Sequence, residues 1–250
     1  MNNSRLAEFL KTTPDAGLHL KQVATTLSLQ DLSRVSEAPV NLAVRPRTLA
    51  PELSESAAKF GETLQENLAL DLSEFDFASG RLAPALREVF ASVIRPQLES
   101  DPGPGLSLFA RDVAELAEKF ARIARDSRGS AAVHPGDSGA DRKLRLRIDR
   151  VEDDMCAAFH TDCYRMRMIC TYRGAGTEWT ANENVDRREF YSLPASDRLI
   201  DSQRVFRLRA GWVAILKGEG YPGAEGAAIV HRSPAASPEE WRLVLRIDCD

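Results

Sequence analysis

The feature that most constrains this chain's fold is a change of hydrophobic period near its middle. Between residues 81 and 98, Leu82, Leu86, Val89, Phe90, Val93 and Ile94 recur at three- and four-residue spacing, with Pro84 tolerated in a first helical turn. After the breaker Asp101-Pro-Gly-Pro-Gly105, the helical period returns in Leu108, Val113, Leu116, Phe120 and Ile123 and runs to about Arg125. Beyond a stretch at 126–141 rich in Gly, Ser, Asp and Ala, the rule is different. Leu144, Leu146 and Ile148 alternate with Arg145, Arg147 and Asp149, the signature of a strand with one buried face. Helices gathered in one half and short strands in the other predict an α+β fold whose strands close into a sandwich or barrel. Two regions are therefore expected: a helical N-terminal region over 1–128 that packs on the barrel, and a β-domain over 129–250.

Within the first region, Leu6, Phe9 and Leu10 are spaced for a short amphipathic helix, and residues 18–32 for another. Pro39, Pro46 and Pro51 mark an extended connector before a helix that starts near Glu52 and runs toward Leu70. With 250 residues and 43% hydrophobic content, the chain is long enough to bury a core of its own. Its formal net charge of -4 supplies no overall basic field, so nucleic acid is disfavoured as a partner, although a local basic groove stays open. No apolar run approaches membrane-spanning length and the start Met1-Asn2-Asn3-Ser4-Arg5 has no apolar signal core, so no membrane partner and a cytoplasmic location are expected. Cys156, Cys163, Cys170 and Cys249 form no Cys-x-x-Cys pair and are read as reduced.

Chemistry concentrates in the second region. Side chains two apart on an extended strand share a face, so His160 and Asp162 can grip one cation together, and His231, from another strand, completes the set. Two imidazole nitrogens and one carboxylate oxygen on one side of an octahedron leave three positions open, the arrangement of non-heme iron(II) oxygenases. The same donors suit zinc, so iron and zinc both stay open. Cys163 lies beside Asp162 and is a ligand that zinc accepts, yet on a regular strand it points away from the pair. Arg242 follows the distal histidine, and a guanidinium fork there is suited to a carboxylate.

The text around these residues carries a resemblance. Met166-Arg-Met-Ile-Cys-Thr-Tyr172 followed by Gly174-Ala-Gly-Thr-Glu-Trp179 looks like the tyrosine strand and glycine-threonine-aromatic turn of the prolyl-hydroxylase-like oxygenases. Gly211-Trp-Val-Ala-Ile-Leu-Lys-Gly218, His231-Arg-Ser-Pro234 and Trp241-Arg-Leu-Val-Leu-Arg-Ile-Asp248 resemble, in order, that family's apolar strand, distal histidine strand and final basic strand. The resemblance covers roughly residues 130–250. It implies a double-stranded β-helix (a jelly-roll, cupin-like barrel) with iron(II), or zinc, held by His160, Asp162 and His231. It further implies 2-oxoglutarate as co-substrate, anchored by Arg242 or Arg246 and touched by Tyr172 and Thr177, in a dioxygenase reaction on an unknown substrate. Taken whole, the same wording resembles a bacterial domain-of-unknown-function family, which supplies no reaction.

Competing readings remain at this level. Arg242 and Arg246 fall on one face of the last strand, and Arg242 is favoured by its distance from His231. Tyr172 and Thr177 are more often packing and turn residues than co-substrate contacts. Gly136-Asp-Ser-Gly139 is read as a loop because no triad partners accompany it. The arginines at 145, 147, 165 and 167 fit a solvated strand face better than a nucleic-acid groove. His134 has a weak claim as an extra ligand, and His19 almost none. The alternatives to an oxygenase are a non-catalytic zinc- or iron-binding protein for metal homeostasis or sensing, and a cupin-like module whose metal polarises a carbonyl. Substrate and oligomeric state are not legible, because specificity in such barrels resides in loops, here 180–200 and 218–230.

Overall fold

The computed structural model describes residues 16–94, 103–127, 143–153, 156–188, 190, 192, 198–224, 226–235 and 240–250. In chain order the regular elements are β1 (Val23–Thr25), β2 (Leu42–Arg45), α1 (Pro51–Thr63), β3 (Leu68–Asp71), α2 (Leu82–Ile94), α3 (Gly103–Asp126) and β4 (Leu144–Val151). They continue as β5 (Met166–Arg173), β6 (Glu178–Thr180), β7 (Phe206–Arg207), β8 (Val213–Lys217), β9 (Val230–Arg232) and β10 (Arg242–Cys249). Seven strands form one sheet in the order β1-β2-β8-β5-β10-β4-β3, and three form another in the order β7-β6-β9. All the ladders are antiparallel except β1 with β2. The chain is thus a mixed α/β protein.

Strand alternation assigns the layers. Along β10, Leu243, Leu245, Ile247 and Cys249 pack in one core with Leu146 and Ile148 of β4 and Met168 of β5. The same core holds Leu53 and Phe60 of α1, Leu86 and Phe90 of α2, and Phe109, Val113, Leu116 and Phe120 of α3. The helices therefore cover one face of the large sheet, and burial of each such side chain contributes about 1.5–3 kcal/mol. Ring centroids of Phe60, Phe90, Phe109 and Tyr172 lie 4.8–5.4 Å apart at the centre of this layer. On the opposite face, Ile169 of β5, Ala214 and Leu216 of β8 and Val244 of β10 meet Trp179 of β6, so the small sheet packs against the large one there.

Helices α2 and α3 fall where the three-and-four spacing places them, and α1 starts at Pro51, beside the expected Glu52, where the missing N–H costs nothing. The rest of the first region differs from expectation. Residues 18–32 are not one helix: the β-branched segment Val23–Thr25 forms β1, and a 3₁₀ segment spans Gln30–Ser36. Leu29, Leu32 and Val35 are buried at a spacing of three, which suits a 3₁₀ turn rather than an α-helix. The proline-flanked connector contains β2, with Pro39 and Pro46 just outside it, where no ladder N–H is needed. The helix expected to reach Leu70 stops at Thr63, and Leu68–Asp71 pairs with β4 as an edge strand. Strands from both sides of residue 128 therefore share the large sheet, through β2 with β8 and β3 with β4. The helix expected around Leu6–Leu10, the loop at Gly136–Gly139 and His134 lie outside the described residues.

Candidate metal centre

His231 sits on β9, the edge of the small sheet, where it faces Trp179 of β6. His160 joins it through a single antiparallel bridge, the N–H of each donating to the other's carbonyl at 3.0 and 2.9 Å. The sequence pattern places His160 and Asp162 on a regular strand; the structure retains only this bridge, and Asp162 lies in the irregular segment that follows. That segment is fixed from behind by the turn after β8, where Gly218 N–H donates to the Arg165 carbonyl (3.0 Å) and Glu219 N–H to the Asp162 carbonyl (2.8 Å). A ligand-bearing atom from each of His160, Asp162 and His231 lies within 4.8 Å of the others. The two imidazole centroids are 4.5 Å apart.

The protonation state follows from the partners. A carbonyl only accepts, so the Nδ1 of His160, 2.9 Å from the Ala158 oxygen, and the Nδ1 of His231, 3.2 Å from the Ile229 oxygen, both carry protons. Burial pushes the His231 pKa down to about 4, outweighing the Asp162 charge, so near neutral pH its Nε2 is a bare lone pair. That lone pair stands 3.5 Å from Asp162 Oδ2, a buried carboxylate oxygen with no hydrogen-bond partner. Two electron-rich atoms face each other across a gap that a bound cation would make favourable. Ligands at right angles around one ion, each about 2.1 Å away, would stand about 3 Å apart. The residues thus fit a divalent transition metal bound by two imidazoles and one carboxylate oxygen.

The other oxygen of Asp162 belongs to a buried ion-pair chain. Arg167 of β5 donates from Nη1 to Asp162 Oδ1 (2.7 Å), and from Nε and Nη2 to Asp248 Oδ1 (2.5 Å) and Oδ2 (3.1 Å) of β10. Burial alone would lower the Arg167 pKa, but the bond with Asp248 and the charge of Asp162 raise it above its usual value. A solvated-face reading of Arg167 is therefore corrected, whereas Arg145 and Arg147 do keep half-exposed side chains. Period-two alternation with Met166 and Met168 was the available signal: those methionines face the helices, which turns Arg167 to the other side.

A cleft of about 460 Å³, its open mouth included, is lined by His160, His231, Arg167, Thr177, Arg242 and Arg246, with Asp149 and Val244 among its walls. The structure separates the two arginines of β10. Arg246 donates from Nε (2.8 Å) and Nη2 (2.6 Å) to Asp149 Oδ2 of β4, a fully buried carboxylate. Arg242 donates from Nε to the Ala175 carbonyl (2.6 Å), and no carboxylate among the described residues pairs with it. Burial, with the like charges of Arg246 and Arg207, lowers its pKa to about 10, so it stays a cation at neutral pH. Arg232, at the rim, and Arg207 both bond Glu178, whose pKa burial would raise but these two cations hold below its usual value. Asp149, Asp248 and Glu178 escaped the sequence reading because only the fold pairs them with arginines of this cleft.

Tyr172 does not reach the cleft. Alternation on β5 turns it to the helix side, where its hydroxyl donates to Asp112 Oδ2 of α3 at 2.5 Å, in a network with Arg47. Cys163 is exposed and outside the ligand set, no disulfide joins the four cysteines, and His19 stands beside Phe206 rather than near the centre. Among the described residues, no helix is long and apolar enough to cross a membrane.

A family model described as protein of unknown function (DUF1826) matches residues 27–248. No curated protein is similar in sequence to the chain. Among solved structures, the chain is similar to the dioxygenase for auxin oxidation 1 from Arabidopsis thaliana in binary complex with 2-oxoglutarate, at 12% identity and TM-score 0.47, with 92% of each chain covered. It is also similar to JOX2 in complex with 2OG, Fe and JA, at 13% identity and TM-score 0.48, covering 91% of this chain and 74% of that one. A third similar structure is the dioxygenase for auxin oxidation in rice, at 12% identity and TM-score 0.47, with 90% of this chain and 81% of that one covered.

Proposed function

For this chain, which belongs to the DUF1826 family of proteins of unknown function, we propose an iron(II)- and 2-oxoglutarate-dependent oxygenase acting on a substrate still to be identified. In this reading the two packed sheets are a double-stranded β-helix with the metal at its mouth. The observation that carries it is the facing pair of bare acceptors, His231 Nε2 and Asp162 Oδ2, with the histidine on a cleft that also holds a buried arginine paired with no carboxylate among the described residues.

The donor set of His160, Asp162 and His231 would hold iron(II) from one side. When bound, the metal would supply oxygen activation coupled to decarboxylation of the 2-oxo acid. The remaining work belongs to the chain. Arg242, anchored at Nε by Ala175, keeps Nη1 and Nη2 for the distal carboxylate of the co-substrate, a bidentate geometry that lysine does not reproduce. Thr177, on the same wall, adds a hydroxyl within the cleft. Arg246 is committed to Asp149 and is therefore the weaker candidate for that carboxylate.

The test is anaerobic addition of 2-oxoglutarate to the iron(II)-loaded protein. A weak visible charge-transfer band is expected, absent in His231→Ala and reached only at much higher co-substrate concentration in Arg242→Ala. Tight metal binding with no band at any 2-oxoglutarate concentration would replace the oxygenase by a metal-binding protein without this chemistry.

A further inference from the structure

We propose that Asp248 is a positioning residue for the metal centre, acting through Arg167 to keep one oxygen of Asp162 free for the metal. The inference rests on the reading of His160, Asp162 and His231 as metal ligands. Arg167 lies between two carboxylates that compete for it, and the three side chains are 3–9% exposed, so water relieves none of them. The guanidinium presents its Nε–Nη2 edge to both oxygens of Asp248 and only Nη1 to Asp162. The pairing is set by register, since Arg167 stands directly opposite Asp248 across β5 and β10.

Without the Asp248 charge, Arg167 has one carboxylate left. It would then turn its Nη1–Nη2 edge to Asp162 and take both oxygens in a bidentate pair, the strongest geometry open to these groups. Asp162 Oδ2, now unpartnered and 3.5 Å from His231 Nε2, would be withdrawn from the metal. Asp248 therefore holds back a cation that would otherwise quench the ligand. A salt bridge with a merely structural role makes no such prediction, because there the loss of a second member only adds to the damage.

The experiment is a double-mutant cycle read by anaerobic cobalt(II) titration, with the visible d–d bands of the bound ion as signal and circular dichroism as the check on folding. Asp248→Asn keeps the volume and removes the charge, and it is expected to weaken cobalt binding about 10–100-fold. In the Arg167→Met background the same change should leave affinity within about twofold, the range of uncoupled sites. With Arg167→Met alone binding as wild type does, the double variant should thus bind at least about fivefold tighter than Asp248→Asn alone. Wild-type affinity in Asp248→Asn, or a double variant no tighter than Asp248→Asn, overturns the proposal. If Asp248→Asn does not fold, the pair in the Arg167→Met background decides: equal affinities support the proposal, and a tenfold drop on removing the Asp248 charge overturns it. His231→Ala separates the two levels, since cobalt bound there as tightly as in wild type would overturn the ligand assignment itself, whatever the cycle shows.

Discussion

At the residue scale, the cleft shows that side chains of one type on one face of one strand can have opposite duties. Arg242 and Arg246 are equivalent in period, and only their neighbours separate them: Asp149 of β4 captures Arg246, whereas Arg242 meets a carbonyl. Arg246→Ala would leave a fully buried carboxylate with only the half-exposed Arg147, 3.6 Å away, and is expected to cost on the order of 3 kcal/mol of stability. Arg242→Ala removes one hydrogen bond and an uncompensated buried cation, so the loss should stay below about 1.5 kcal/mol. Urea midpoints of the two variants decide, and a larger loss for Arg242→Ala would mean that Arg242 is structural. The candidate metal ligands were legible because their chemistry is local to residue type. The helix-side place of Tyr172 was not legible, because its phenol serves α3 through Asp112, an element no short motif reveals.

At the element scale, two of the candidate ligands, His160 and Asp162, hang on an irregular segment, and only His231 sits on a regular strand. The segment bearing Asp162 rests against the turn after β8 so closely that a Cβ on Gly218 would lie 2.0 Å from the Tyr164 carbonyl and 2.7 Å from that of Asp162. Both contacts are backbone atoms, so the segment itself must shift. Gly218→Ala is expected to weaken metal binding about 10–100-fold while the helical layer still folds. Cobalt titration beside far-UV circular dichroism checks this, and unchanged affinity would show that the joint tolerates displacement. Regular elements were the readable ones: α1–α3 and the alternating strands β4 and β10 announce themselves by period. The short strands β1, β2 and β3 did not, because three or four residues hold too little pattern to compete with neighbouring prolines and helices.

At the scale of the whole molecule, a metal held at the proposed centre would join parts that the chain keeps far apart. His160 and Asp162 follow β4, His231 lies on the small sheet, and Arg167 belongs to the middle of the large one. An ion bound there stabilises the native state by about 2.7 kcal/mol at a hundredfold excess over its dissociation constant, which for a chain of this size raises Tm by about 5–10 °C. Calorimetry with zinc(II) and with anaerobic iron(II) should show that rise, chelator should reverse it, and His231→Ala should abolish it; a rise of the same size in that variant would place the ion elsewhere. The sequence by itself determined the helical and strand periods, the hydrophobic faces and the metal-ligand residue types, because these depend on spacing within a few residues. Only the tertiary structure decided which arginine is free, which carboxylate oxygen is bare and that Arg167 is buried. Those properties are set by partners from other strands, whose approach depends on sheet order and register rather than on distance along the chain.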